Sequence, residues 1–296
     1  MLPMNNYLRT EGINKLLSTA ASIAIRKDYP SYYSLMITPK GSKLKQLGSS
    51  VKTNRKGKIS VLYMAPEKQA AYWYDDEGNI IVDDNGNPKI RYNINMCPMA
   101  GDCAHSCLAY SGRMPFHMMN RIRKTRAFIG HPQEFLTDLV NDIYIKSQQA
   151  FVEGKELYVR LDGTTDNRWE RYLDLSAMVR DFAGLAGFYD YTKFPLSARE
   201  QSPVHHLTYS VDEKDVSLMR AKEYHNNGYP FAVVVDAEDY KHIKKWEGVT
   251  DGDDSDMRWL DKGAVVLKAK RLFGATYTKK GKGLVRTMAQ VFELLN

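Results

Sequence analysis

Cys97, Cys103 and Cys107 are the only cysteines among 296 residues, and all three fall within the eleven positions CPMAGDCAHSC. Thiolates gathered on one short loop are the donor set of a zinc ion or an iron–sulfur cluster. The Cys-x5-Cys-x3-Cys spacing gives three sulfurs and no fourth. Structural zinc takes four protein ligands, so zinc here would have to recruit a histidine, with His105 and His117 nearest. A 4Fe–4S cluster can use three cysteines and keep one iron open, so the ligand count favours iron–sulfur over zinc. Left without metal, three loop thiols would be exposed to oxidation.

The second chemical signal is segregated positive charge. The formal net charge is +7, and the sequence pI is about 9.0. Residues 40–58 hold seven basic residues and no acid, residues 113–126 hold five and none, and residues 268–286 hold seven and none. Such stretches suit a polyanion, because each neutralised phosphate releases condensed counterions. The candidate contacts are Lys43, Lys45, Arg55 and Lys56, then Arg113, Arg121, Arg123 and Lys124, then Lys279, Lys280 and Lys282. Tyr110, Arg160, Tyr191 and Lys193 join them, since tyrosines set along a basic track stack single-stranded bases at about 1–3 kcal/mol each. Each stretch reads equally as a solvated face, and Tyr191 with Lys193 reads equally as packing with a snorkelling lysine.

Other motifs carry less. In RLDGTTDNRWE, Arg160, Asp162 and Asp166 stand at a strand end, although Thr165 or Asp166 would serve equally as a helix cap. DGDDSD from Asp251 has Lys262 where an EF-hand needs a bidentate glutamate, so it reads as a solvated turn. His205-His206 has no partner at metal-ligand spacing. Phosphate-loop, nucleophile-elbow and zinc-protease motifs are absent, and so are the duplex-reading modules.

The elements that must position these residues follow from periodicity. A helix is expected over 13–27, a strand at ISVLYMAP, and a hairpin over 70–95 with turns at Asp76-Glu77-Gly78 and Asp84-Asn85-Gly86. After the cysteine loop, two helices span 119–130 and 132–154. Short apolar strands then alternate with helices: ELYVRLD, a helix over 168–184, LAGFYDYT, HHLTYSVD, a helix over 216–228, PFAVVVD, a helix over 238–248, and GAVVLKAK as the last strand. Strands separated by crossover helices pair in parallel, which predicts an α/β fold, β/α barrel-like and irregular. The expected domains are an αβ extension over 1–95 and a cluster-binding barrel-like unit over 96–296. Its site lies at the carboxyl ends of the strands, near Arg160, Asp162, Asp190, Tyr191, Lys193, Ser210, Asp236 and Lys268.

Composition is that of a soluble globular chain, 43% hydrophobic and 26% charged. No apolar stretch approaches the roughly 20 residues that span a bilayer, and the N-terminus lacks a secretion-signal plan. No cysteine pair exists outside the loop, so a reducing, cytosolic setting is expected.

The ordered set of a cysteine loop with Tyr110, Gly112 and Arg113, RLDGTTD, FYDYTK from Phe188 to Lys193, and the late acidic DGDDSDMR resembles the phage gene product 88 family. These motifs run from about residue 90 to 270. The resemblance implies a phage origin, an iron–sulfur site and a core distantly similar to radical S-adenosylmethionine enzymes. Those enzymes usually carry Cys-x3-Cys-x2-Cys and a Gly-Gly-Glu-Pro-like strand end, and this chain has neither. The expected function is binding of nucleic acid, most of all single-stranded DNA alongside phage replication proteins, with a structural cluster. The alternative is an enzyme that uses an open iron.

Overall fold

The computed structural model describes residues 3–38, 41–49, 57–243, 246–261, 263–269 and 285–295. Arg55, Lys56, Lys279, Lys280 and Lys282 lie outside them.

Among the described residues, nine strands form one mixed, mostly parallel sheet. They are β1 (Leu47–Ser49), β2 (Gly57–Leu62), β3 (Glu156–Arg160), β4 (Leu185–Thr192), β5 (His205–Ser210), β6 (Phe231–Val235), β7 (Val249–Asp251), β8 (Ala264–Lys268) and β9 (Val285–Arg286). The order is β1-β2-β3-β4-β5-β6-β8-β7, and only β1–β2 is antiparallel. Where β5 stops, at Ala232 of β6, β9 takes over the same edge at Val234 and Val235. No pairing joins β1 to β7 among the described residues, so closure into a barrel is not seen. Because β2 pairs in parallel with β3, the sheet crosses the domain boundary expected at residue 95.

Helices are α1 (Thr10–Leu17), α2 (Ala20–Asp28), α3 (Tyr32–Met36), α4 (Met118–Gly130), α5 (Pro132–Val152), α6 (Leu175–Asp181), α7 (Asp215–Asn226), α8 (Ala237–Tyr240) and α9 (Met288–Leu295). The single helix expected over 13–27 is two, since the Thr19 side chain accepts from Ser22 N and starts α2 anew. GAVVLKAK is not the last strand, because β9 and α9 follow it. None of the described helices is long and apolar enough to cross a membrane.

Alternation in each strand divides two faces. Leu157, Val159 and Phe188 enter one apolar core with α4, α5 and α6, centred on Phe128, Phe135, Trp169 and Phe182. Phe231, Val233, Val235, Ala264 and Val266 enter a second with α7 and α9. Each large apolar side chain so buried contributes about 2 kcal/mol. The opposite face carries Ile59, Val61 and Tyr189, packed with Tyr63, Tyr158, Met257 and Trp259. Trp259 stacks on Tyr158 at 3.5 Å between ring centres.

The expected hairpin is a three-limbed meander with bridges Tyr72–Ile90, Tyr74–Ile80 and Val82–Pro88. Gly78 and Gly86 sit at its turns with φ of 87° and 80°, a region open to glycine.

Candidate functional site

The meander delivers the chain to the cysteine loop, where Met96 N donates to Glu67 O at 2.9 Å and Cys97 N to the Asn95 side chain at 2.9 Å. Short 3-10 turns, Gly101–Ser106 and Leu108–Tyr110, then fold the three cysteines inward. Such turns leave carbonyls unpaired. Arg121 of α4, only 2% exposed, supplies the missing donors to Met114 O at 2.5 Å and Ala109 O at 3.2 Å. On the far side, Glu213 after β5 accepts from Asp102 N at 3.3 Å.

All three cysteines line one cavity of about 480 Å³. Its other wall is the carboxyl edge of the sheet: Arg160 of β3, Tyr191 and Thr192 of β4, Ser210 of β5, Val234 of β6, Leu267 and Lys268 of β8. Burial pushes the Cys107 thiol up to about 12, and raises the Cys97 and Cys103 thiols as well. Among the described residues no three His, Cys, Asp or Glu side chains stand at ready-made metal spacing. The donor set nevertheless fits a cluster in kind: three soft sulfurs share one secluded wall, and a bound cation would draw off the protons that burial retains. Zinc fits worse, because His105 and His117 are exposed and neither lines the cavity.

Below the thiols, the segment after β3 gathers a buried polar network. Asp162 is 1% exposed. Its Oδ1 accepts from Thr165 Oγ1 at 2.6 Å, Trp169 Nε1 at 3.0 Å and Asn167 N at 3.1 Å. Its Oδ2 has no partner among the described residues, and the residue lines the cavity. Asp190 accepts from Asp162 N at 2.6 Å and holds His205 Nε2 at 3.0 Å. Burial raises the Asp190 carboxyl to about 7 and depresses His205 to about 4. Burial thus disfavours charge on both partners of this contact. Asp166 does not cap a helix: its oxygens take Thr192 Oγ1 at 2.9 Å and Lys193 N at 2.8 Å. Arg199, fully buried, grips Glu170 at 2.7 and 3.0 Å and stands 3.7 Å from Asp166.

The sequence-derived residues divide. Cys97, Cys103, Cys107, Tyr110, Arg160, Tyr191 and Lys193 all meet at the cavity. The Arg160 guanidinium lies 4.8 Å from the Tyr191 ring centre, and the Lys193 ammonium faces Val211 O at 3.3 Å, Ser210 Oγ at 3.4 Å and Ser210 O at 3.5 Å. Arg121 does not face a phosphate, because loop carbonyls occupy its buried guanidinium. Lys124 donates to Gln46 O at 2.8 Å, and burial lowers its ammonium to about 8. Lys43 pairs with Asp138 at 2.7 Å, and Arg123 donates to Ile37 O at 3.2 Å. Lys45 and Arg113 are exposed. Asp236 caps α8 through Glu238 N and Asp239 N, both at 2.8 Å. Sequence reasoning missed Glu67, Arg199 and Glu213; no motif marks them, and only the fold brings them to the loop and the network.

Fold and site together define a mixed α/β protein with one cavity between a three-thiol loop and the carboxyl edge of a mostly parallel sheet. The chain belongs to the phage family Gene product 88, whose family model matches residues 49–286. The match begins within β1 and covers both walls of the cavity. No curated protein and no solved structure matches the chain.

Proposed function

We propose that this chain is an iron–sulfur enzyme that binds a small molecule between Cys97, Cys103 and Cys107 and the strand ends. The observation that carries the reading is the shared cavity: three thiols and the ends of six strands line about 480 Å³. That volume suits a small reactant, within the usual range of roughly 300–1,000 Å³ for ligand sites. We read the sheet as an incomplete β/α barrel. The cavity is lined both by Arg160 of β3 and by Gly252 and Asp253 just after β7, strands that would stand about 24 Å apart in a flat sheet at ordinary spacing. When bound, a cluster with one iron free of protein ligands supplies an electron and an open coordination position. The chain's own residues do the rest. Arg121 and Glu213 hold the loop, the apolar wall of Val234 and Leu267 excludes water, and Arg160 and Lys193 offer positive charge.

S-adenosylmethionine is the co-reactant to test first, given the three-cysteine donor set beside a parallel sheet edge. Anaerobically prepared protein should be brown and contain iron and sulfide. Under reduction it should convert S-adenosylmethionine to a deoxyadenosyl product. Cys103→Ser should lower the iron content and abolish that product. A colourless protein, or equal iron in the variant, sinks the cluster; intact iron without turnover sinks the co-reactant.

Contact with single-stranded nucleic acid is a second reading. Tyr110, 37% exposed, lines the cavity, and exposed Arg113 follows it three residues on. A base stacked on Tyr110 would place its phosphate near that basic stretch.

A further inference from the structure

The cavity is lined by a residue, Asp162, whose buried carboxyl the described fold answers on one oxygen and not on the other. Asp162 Oδ1 receives three donors, whereas Oδ2 of the same buried carboxyl receives none from the described residues. A carboxylate sealed from water is stabilised by donors on both oxygens, and an oxygen lacking them is costly. The neighbours sharpen the asymmetry. Burial, then the nearby Asp190 and Asp166, push the Asp162 carboxyl well above its ordinary range, against the pull of Arg199, which is held on Glu170. A proton on Oδ2 resolves this, because Oδ1 stays the acceptor and Oδ2 becomes a donor. On the same cavity the Lys193 ammonium, 6% exposed, rests on neutral oxygens at 3.3–3.5 Å, with no carboxylate of the described residues within ion-pair distance.

We propose that Asp162 serves this cavity as a neutral carboxylic acid whose Oδ2–H donates to a carboxylate on the bound small molecule, with the Lys193 ammonium balancing that charge. This deepens the small-molecule reading and rests on it. The substrate class is therefore a small organic acid, and an amine would find a donor where it needs an acceptor.

Asparagine distinguishes the two, since its carbonyl keeps the three Oδ1 bonds while its amide places a donor where Oδ2–H stood. Acetate and methylammonium are the probes, titrated by NMR into anaerobically prepared protein of measured iron content. Acetate should bind, Asp162→Asn should hold its affinity within about twofold, and Asp162→Ala and Lys193→Met should each weaken it about tenfold. Infrared spectra at neutral pH should show a protonated-carboxyl band that Asp162→Asn removes. Preference for methylammonium, loss of acetate binding in Asp162→Asn, or absence of that band would overturn the assignment. If Asp162→Ala does not fold, the Asn and Lys193→Met arms decide. The same acetate pattern in iron-free protein would uphold this subsite while removing the cluster; full iron without acetate binding would do the reverse.

Discussion

Lys124 sets the terms at the scale of single residues. Its ammonium donates to the Gln46 carbonyl, and burial lowers it to about 8 from an ordinary 10.5, against the weaker pull of Asp142. Between these values the unfolded chain holds a proton that the folded chain has released, so stability rises with pH across the window. Below pH 8 the whole cost of burying the charge is present. At roughly 1.4 kcal/mol per pH unit, less about 1 for the lost hydrogen bond, Lys124→Met should stabilise the protein by about 2 kcal/mol at pH 7. The gain should vanish near pH 10, as read by denaturant melts; a loss at pH 7 would show that the Gln46 bond outweighs desolvation. The cysteines were legible because their spacing is itself the signal. Arg121 and Lys124 were not. A sequence displays their charge but not the unpaired carbonyls of Ala109, Met114 and Gln46, which the irregular loops leave for long cations to satisfy.

At the scale of elements, the turn after β3 is pinned against β2. A Cβ on Gly163 would stand 2.6 Å from Val61 Cγ1 and 2.7 Å from both Leu62 O and Tyr63 Cδ1. Two of those neighbours are not free to yield, since Leu62 O accepts from Gly163 N in the same turn and Val61 belongs to the apolar cluster on the sheet. Gly163→Ala should therefore cost about 2 kcal/mol and shift the Asp162 and Thr164 atoms of the cavity. Thermal melts with acetate titration would check both, and an unchanged midpoint would show that the turn has room. Strands β3, β4, β5, β6 and β8 were readable from apolar runs bounded by turn residues. β1, β7 and β9 were not, being two or three residues long and fixed by the longer strands they join. The helix expected over 168–184 is a 3-10 turn at Trp169–Arg171 followed by α6, because Asp174 accepts from Ala177 N and restarts it.

For the whole molecule, charge and cavity make separable demands. An oligonucleotide held by the basic stretches should lose affinity steeply with salt, with a slope of about −0.7 per phosphate contacted, and Cys103→Ser should leave that slope unchanged. Acetate in the cavity should respond far less, being screened from solvent ions by burial. Equal salt sensitivity of the two, measured by fluorescence anisotropy and NMR, would mean that they share one surface. The parallel sheet was legible as alternating strands and helices, but the way its strand ends close on the cysteine loop was not, since the register between distant segments is written in no single stretch. That edge has a further consequence. Every strand that reaches it lends one or two side chains to the wall, while its remaining residues bury elsewhere. Exchanging Ser210, Val234 or Leu267 would thus retune what is admitted without disturbing the frame, so chains built on this scaffold are free to diverge in diet while keeping the same architecture.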